Sequence, residues 1–218
     1  MNLIYILVFI ISYLIGSIPF SYIFAKRYKN IDLTKEGSRN LGATNAYEST
    51  HNIWIGAMVL LADVAKGALT TAIAINFEQS IEVTYFSLIG AVLGHNYSIF
   101  MNFKGGRGLA VSAGALLLIN PLAVITWILL YFIARYAISR NVHIDNIIAL
   151  VITPIALIYL PDYLLWDLTI YSFFDIRKYR ILVAIVSFLI LIKHIEPIYL
   201  LIKNRKKEEL KEMGKVEK

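Results

Sequence analysis

The residues best suited to chemistry in this 218-residue chain lie in two short polar stretches between long apolar runs. One is Phe103-Lys104-Gly105-Gly106-Arg107-Gly108. Glycines at 105, 106 and 108 allow consecutive backbone N–H groups to point into a concavity, a nest for anionic oxygens. A helix beginning near Leu109 would add its positive end. Lys104 and Arg107 supply charge, and the guanidinium fork matches phosphate geometry. The spacing is not that of the G-x-x-x-x-G-K-[ST] nucleotide loop. A turn carrying topogenic cations explains the charges but not three glycines, each costly to order, so anion binding is favoured. The other stretch is Gly37-Ser38-Arg39-Asn40-Leu41-Gly42-Ala43-Thr44-Asn45. Its Ser, Asn and Thr side chains and its turn-forming glycines could wrap a polar ligand at a membrane surface. On local chemistry alone, cap and turn roles ahead of a helix at Ile53 are favoured.

A second group consists of ionisable residues inside apolar runs: Asp63, Lys66, His95, Lys193 and His194. Such groups face a bundle interior or a wet cavity by default. Asp63 and Lys66, three apart, share a helix face and can neutralise each other. His95 precedes the glycine loop by two to three helical turns and is expected to shape the bundle rather than touch a phosphate. Lys193 and His194 lie near the basic tail, where snorkelling is one reading; for His194, structural and functional roles balance. Ser38, His95 and His194 form no evident Ser-His-Asp triad, and no carboxylates pair as glycosidase acids do. Chemistry here would act on a substrate already activated. The chain has no cysteine, which excludes disulfides, thiolate catalysis and cysteine-ligated metals. Its four histidines lack carboxylate partners at ligand spacing, so no metal site is expected.

The elements that must position these residues are membrane helices. The chain is 58% hydrophobic and 17% charged, with mean hydropathy +0.66, against about 45–50% and about 25% in soluble domains. The net charge of +6 comes from cations clustered in short loops beside apolar runs. That pattern suits cytoplasm-facing loops and anionic lipid or phosphate partners rather than nucleic acid. Leu3–Ala25 carries no charge and no cationic segment precedes it, so it reads as an uncleaved first span rather than a signal peptide. Further runs cover Ile53–Ile75, Val83–Phe103, Leu109–Ala134, Asn146–Leu160 and Ile181–Ile202. Basic loops at Lys26–Arg39 and Lys104–Arg107 flank an acidic one at Asn76–Glu82, which sets the N-terminus outside. Six spans would then leave the basic 204–218 tail outside as well. A hinge at Asn120-Pro121, where proline removes a donor and disfavours helix before it, restores the parity. The expected fold is all-α: a polytopic membrane protein with seven transmembrane helices, some short, N-terminus outside and C-terminus cytoplasmic. One integral-membrane domain covers 1–203, with a basic cytoplasmic tail over 204–218.

Together these stretches resemble the acyl-phosphate-dependent glycerol-3-phosphate acyltransferase (PlsY) family of bacterial plasma membranes. The similarity runs through Gly16-Ser17-Ile18-Pro19-Phe20, the 37–45 segment, Asp63-x-x-Lys66-Gly67, and Gly94-His95. It continues in Ser98-x-Phe100-x-x-Phe103-Lys104-Gly105-Gly106-Arg107-Gly108, and His194 falls where a third motif has its histidine. The resemblance implies a long-chain acyl phosphate donor, sn-glycerol 3-phosphate as acceptor, 1-acylglycerol 3-phosphate and phosphate as products, and no cofactor. It also implies seven helices, and catalytic roles for Ser38, Lys104 and His194. Asn40, Asn45, Gly105, Gly106, Arg107 and Gly108 would bind phosphate. The chain departs from the pattern at Glu48, Pro197 and Leu200, where the family carries arginine, asparagine and arginine. A carboxylate at 48 would repel a phosphate. Two alternatives remain beside the enzyme: a divergent member that binds phosphate headgroups without turnover, and, with least support, a small transporter.

Overall fold

A computed structural model describes residues 3–169, 171 and 173–216, with side chains as far as Lys206. Glu217 and Lys218, at the end of the expected basic tail, lie outside the described residues. The described residues form helices and turns with no strand. In order the helices are α1 (Leu3–Gly16), α2 (Phe20–Lys29), α3 (Ala43–Thr50), α4 (Ile53–Phe77), α5 (Ile81–Asn96) and α6 (Leu109–Ile119). Then follow α7 (Leu122–Ala137), α8 (Val142–Tyr159), α9 (Asp162–Asp167), α10 (Ile176–Ile192) and α11 (Ile195–Val216).

Three helical segments, Leu3–Lys29, Ile53–Phe77 and Val142–Tyr159, are long and apolar enough to cross a membrane. A fourth is possible if α10 and the start of α11, bent by 42°, count together. Leu61, Leu129 and Phe188 project outward from their helices, as side chains facing lipid do.

Several apolar runs are interrupted where backbone chemistry requires it. The first was expected to be one helix over Leu3–Ala25, but it breaks between Gly16 and Phe20. Pro19 has no N–H to continue the ladder, and the chain restarts at Phe20. The Val83–Phe103 run ends its helix at Asn96 and reverses through a short 3-10 turn at Ile99–Met101, with left-handed Asn102 and Phe103. The Ser98 hydroxyl anchors that reversal by donating to the Ser17 carbonyl at 2.6 Å. Ile181–Ile202 bends at Lys193-His194.

The Asn120-Pro121 hinge separates α6 from α7, as the proline predicts. Its polar groups are satisfied: Asn120 Oδ1 accepts from the Leu122 N–H, and Asn120 Nδ2 donates to the Leu165 carbonyl at 2.7 Å. The Tyr179 hydroxyl donates to the Asn120 carbonyl at 2.8 Å. A helix end buried without such partners would be costly. Helix α8 begins earlier than its apolar run, at Val142, because Asn141 Oδ1 caps the His143 and Ile144 N–H groups.

Helix α1 packs along α5, α4 along α6, and α7 along α8. The α4–α6 contact is backbone to backbone. A Cβ on Gly67 would lie 1.9 Å from the Val111 carbonyl oxygen, and one on Gly114 equally close to that of Val64. Small residues at such crossings replace the hydrophobic drive that helices lack in lipid with close van der Waals contact. This crossing sets the first turn of α6 beside the middle of α4.

Candidate functional site

The 37–45 segment is a loop tied down from below by Asn45. That side chain is 1% exposed. Its Oδ1 accepts from the Ser38 N–H at 2.9 Å and from the Ser49 hydroxyl at 3.3 Å, while Nδ2 donates to the Glu36 carbonyl. Gly37 and Arg39 adopt left-handed conformations, which turns the loop over this anchor. The Leu41 N–H donates to the Gly105 carbonyl at 3.2 Å, joining this loop to the glycine loop.

The glycine loop sits directly on the last turn of α5. The Gly106 N–H donates to the His95 carbonyl at 2.9 Å. A Cβ on Gly105 would meet that carbonyl oxygen at 2.1 Å, and one on Gly106 would meet His95 Nε2 at 2.0 Å. Gly105 and Gly106 are therefore required by close approach to His95. Only Gly108, at φ +84°, uses the left-handed region. The expected row of free amides is correspondingly shorter, because the Gly106 N–H is already occupied. Gly108 precedes α6 and offers no side-chain cap, which leaves the first-turn amides from Leu109 without an intrahelical partner.

His95 does not stand turns away from the loop, as its sequence distance suggested. The reversal at residues 97–105 folds the loop back onto it. Behind it lies a buried network. Lys66 Nζ is 2.9 Å from Asp63 Oδ1, 2.9 Å from His95 Nδ1 and 3.0 Å from the Ile18 carbonyl oxygen.

These elements enclose a cleft of about 330 Å³. Its polar wall comprises Asn40, Thr44, Asp63, His95, Arg107, Asn146 and His194; Leu60, Leu109, Trp127 and Tyr131 supply its apolar wall. Gly108 and Ala110 also line it, so the open start of α6 faces the cleft. Of the residues singled out in the sequence, Asn40, Arg107, Gly108 and His194 line this space. Asn45 lies beneath the loop, Gly105 and Gly106 back onto His95, and Ser38 and Lys104 are exposed outside the lining.

Burial pushes the Arg107 guanidinium down from its ordinary value, while the Glu196 and Glu48 carboxylates nearby favour its charged form. An arginine keeps its charge under such conditions. Glu48 therefore stands in the electrostatic neighbourhood of the cleft, and so does a second carboxylate from the start of α11.

His194 is fully buried, which rules out snorkelling. Its Nδ1 is 3.0 Å from the Ile190 carbonyl oxygen. A carbonyl only accepts, so Nδ1 carries the hydrogen and Nε2 a lone pair. That Nε2 has no partner among the described residues, and neither do His143 Nδ1 and Asn146 Oδ1. The His143 and His194 rings meet edge-on at 5.9 Å. Lys193 lies over the Tyr97 ring, 4.6 Å from its centroid.

The sequence reading did not single out His143, Asn146, Trp127 or Tyr131. An asparagine inside an apolar helix was the available signal for Asn146. The α7–α8 turn that presents His143 and Asn146 is held by fully buried Asp145, which accepts from the Ser139 hydroxyl at 2.6 Å and pairs with Arg135 at 3.3 Å.

A sequence profile described as glycerol-3-phosphate acyltransferase matches residues 6–204. The chain belongs to the glycerol-3-phosphate acyltransferase family. The glycerol-3-phosphate acyltransferase of Bacillus subtilis (strain 168) is 38% identical over 175 residues, covering 80% of this chain and 89% of the relative. Glycerol-3-phosphate acyltransferase 2 of Moorella thermoacetica is 37% identical over 155 residues, covering 71% and 78%. The fold is similar to that of PlsY, an integral membrane glycerol 3-phosphate acyltransferase, in its crystal structure in the glycerol 3-phosphate form. The TM-score is 0.73, with 27% identity over 92% of this chain and 93% of that one. The lysophosphatidic acid form of PlsY gives a TM-score of 0.71 at 26% identity. As a member of the glycerol-3-phosphate acyltransferase family, the chain is an acyltransferase and a membrane protein.

Proposed function

We propose that this acyltransferase moves an acyl group from a long-chain acyl phosphate to sn-glycerol 3-phosphate, releasing 1-acylglycerol 3-phosphate and inorganic phosphate. The observation that carries this reading is the convergence of Asn40, Arg107, Gly108 and His194 on one cleft at the open start of α6. These residues come from three distant parts of the chain, and together they offer an amide, a guanidinium, helix-terminal N–H groups and an imidazole lone pair. The acceptor is supported by relatives named for it and by the glycerol 3-phosphate form of PlsY.

In this reading the acceptor hydroxyl attacks the acyl carbonyl carbon, the carbon–oxygen bond to phosphate breaks, and the departing phosphate takes the hydroxyl proton. An acyl phosphate is a mixed anhydride, so positioning and charge stabilisation can supply most of the catalysis. His194 Nε2 accepts a hydrogen bond from the attacking hydroxyl. Arg107, Gly108 and the first turn of α6 hold phosphoryl oxygens, with Asn40 in the same lining. Ser38 and Lys104 act from the exposed rim, while Asn45, Gly105 and Gly106 shape the cleft. An apolar cavity of about 40 Å³ shares Leu109 and Trp127 with the cleft. It is too small for a long acyl chain, which supports a groove open to lipid.

The seven crossings of this reading are α1 with α2, then α4, α5, α6, α7, α8 and α10, in a bacterial plasma membrane. The N-terminus lies outside and the C-terminus in the cytoplasm. That arrangement gathers Lys26–Lys29, Lys104, Arg107, Arg135 and the start of the basic tail on one side. A tag at residue 138 found outside the cell would overturn it.

The deciding experiment gives purified protein acyl phosphate and glycerol 3-phosphate and measures phosphate release and lysolipid. No turnover beside the active Bacillus subtilis relative would overturn the enzyme. A second reading, phosphate binding without turnover, is favoured by the two carboxylates near Arg107. It predicts saturable binding of glycerol 3-phosphate with no product.

A further inference from the structure

His95 has no part in the reaction as described so far, yet its ring lines the cleft while 93% of it is buried behind the glycine loop, leaving 7% exposed. Its hydrogen-bond state follows from its partners. A lysine ammonium has three hydrogens and no acceptor. Lys66 Nζ has three acceptors at hydrogen-bond distance: Asp63 Oδ1, the Ile18 carbonyl oxygen and His95 Nδ1. Nδ1 must therefore offer its lone pair to Lys66, and the ring hydrogen resides on Nε2. Asp63 Oδ1 does not compete for it, being 3.6 Å from Nδ1 and already paired with Lys66.

The Nε2 side of the ring faces Gly106. A Cβ at that position would stand 2.0 Å from Nε2, so only glycine fits against this nitrogen. Arg107, Gly108 and the open start of α6 share the cleft with His95. His194 has the opposite tautomer, with its hydrogen on Nδ1 and its lone pair on Nε2. The cleft thus holds one imidazole that donates and one that accepts, each set by a fixed partner on its other nitrogen.

We propose that His95 Nε2–H donates a hydrogen bond to a substrate oxygen that carries or develops negative charge. Lys66 is the positioning residue that fixes the donating tautomer, and Asp63 holds Lys66. The target oxygen belongs either to a substrate phosphoryl group or to the reacting carbonyl. An uncharged donor fixed before the substrate arrives stabilises such an oxygen without reorganising. The identity of this oxygen rests on the acyltransferase reading above; the donor itself does not.

The test uses full-length protein in nanodiscs with 15N-labelled histidine, His95 being assigned by its loss in His95→Gln. His95 is expected in the Nε2–H form and His194 in the Nδ1–H form. Inorganic phosphate should shift the His95 Nε2 signal, and Lys66→Met should mix the His95 tautomers. In turnover, His95→Phe removes the donor, and a loss of about 10²-fold is expected. His95→Gln keeps an acceptor for Lys66 and a donor for the substrate, so it should recover part of that loss. A fall in kcat at unchanged KM assigns the carbonyl oxygen, and a rise in KM for one phosphate-bearing substrate assigns a phosphoryl oxygen. If the wild type turns over and His95→Phe keeps kcat and KM within about twofold, the proposal is overturned and the acyltransferase reading stands. If the wild type does not turn over beside the active relative, that reading fails. The phosphate titration then decides, and an unmoved His95 signal overturns the proposal.

Discussion

The floor and the rim of the cleft are built by opposite means. On the floor, Lys66 has all three hydrogens engaged, the Gly106 N–H is tied to His95, and Gly105 accepts from Leu41. Every one of these contacts forms on folding, before any ligand arrives. On the rim, Ser38, Lys104, Glu48 and Glu196 are exposed. A floor braced this way keeps its donors in place, whereas the rim can change charge without disturbing the fold. The difference explains how a family member can carry Glu48 while keeping the glycine loop and its brace.

Substitutions should separate the two regions, with stability responding at the floor and activity alone at the rim. The largest effect is expected for Asp63→Ala. It leaves the Lys66 ammonium buried without its counter-charge and should cost about 3–5 kcal/mol, read as a lowered unfolding midpoint in detergent. Lys104→Ala, at the exposed rim, should lower kcat/KM by about 10²-fold with an unchanged midpoint. An equal loss of stability would erase the distinction drawn here. Gly106→Ala drives a Cβ against the His95 ring and should cost about 1–3 kcal/mol together with activity. A neutral result there would show that the loop does not rest on His95. The smallest effect is expected for Glu48→Arg. Removing a carboxylate near Arg107 should lower the KM for glycerol 3-phosphate by about threefold, with no change in stability, the amount expected of one exposed charge.

Much of the architecture was legible in local chemistry. Composition set the membrane class, the Asn120-Pro121 pair marked a real break between α6 and α7, and the i, i+3 spacing of Asp63 and Lys66 gave an ion pair at 2.9 Å. The two polar stretches do meet, through Leu41 and Gly105. Other features were hidden because their cause lies elsewhere in the chain. The break before Phe20 lies inside a run that composition reads as continuous. The glycines at 105 and 106 suggested a nest, yet they exist for a contact with His95 that only the reversal at 97–105 creates. Asn146 read as the start of an apolar run, and it reaches the cleft only through the turn that Asp145, Ser139 and Arg135 hold.

The sequence by itself determined which segments are apolar, where proline and glycine interrupt them, and which polar groups must find partners, because those follow from side-chain solvation and backbone sterics within a few residues. Only the tertiary structure decided which nitrogen of His95 carries a hydrogen and which residues share the cleft. The His194 tautomer follows from its own chain turn, through the Ile190 carbonyl four residues earlier. The His95 tautomer depends on Lys66 from another helix, and the shared cleft on the close α4–α6 crossing that brings the start of α6 beside it.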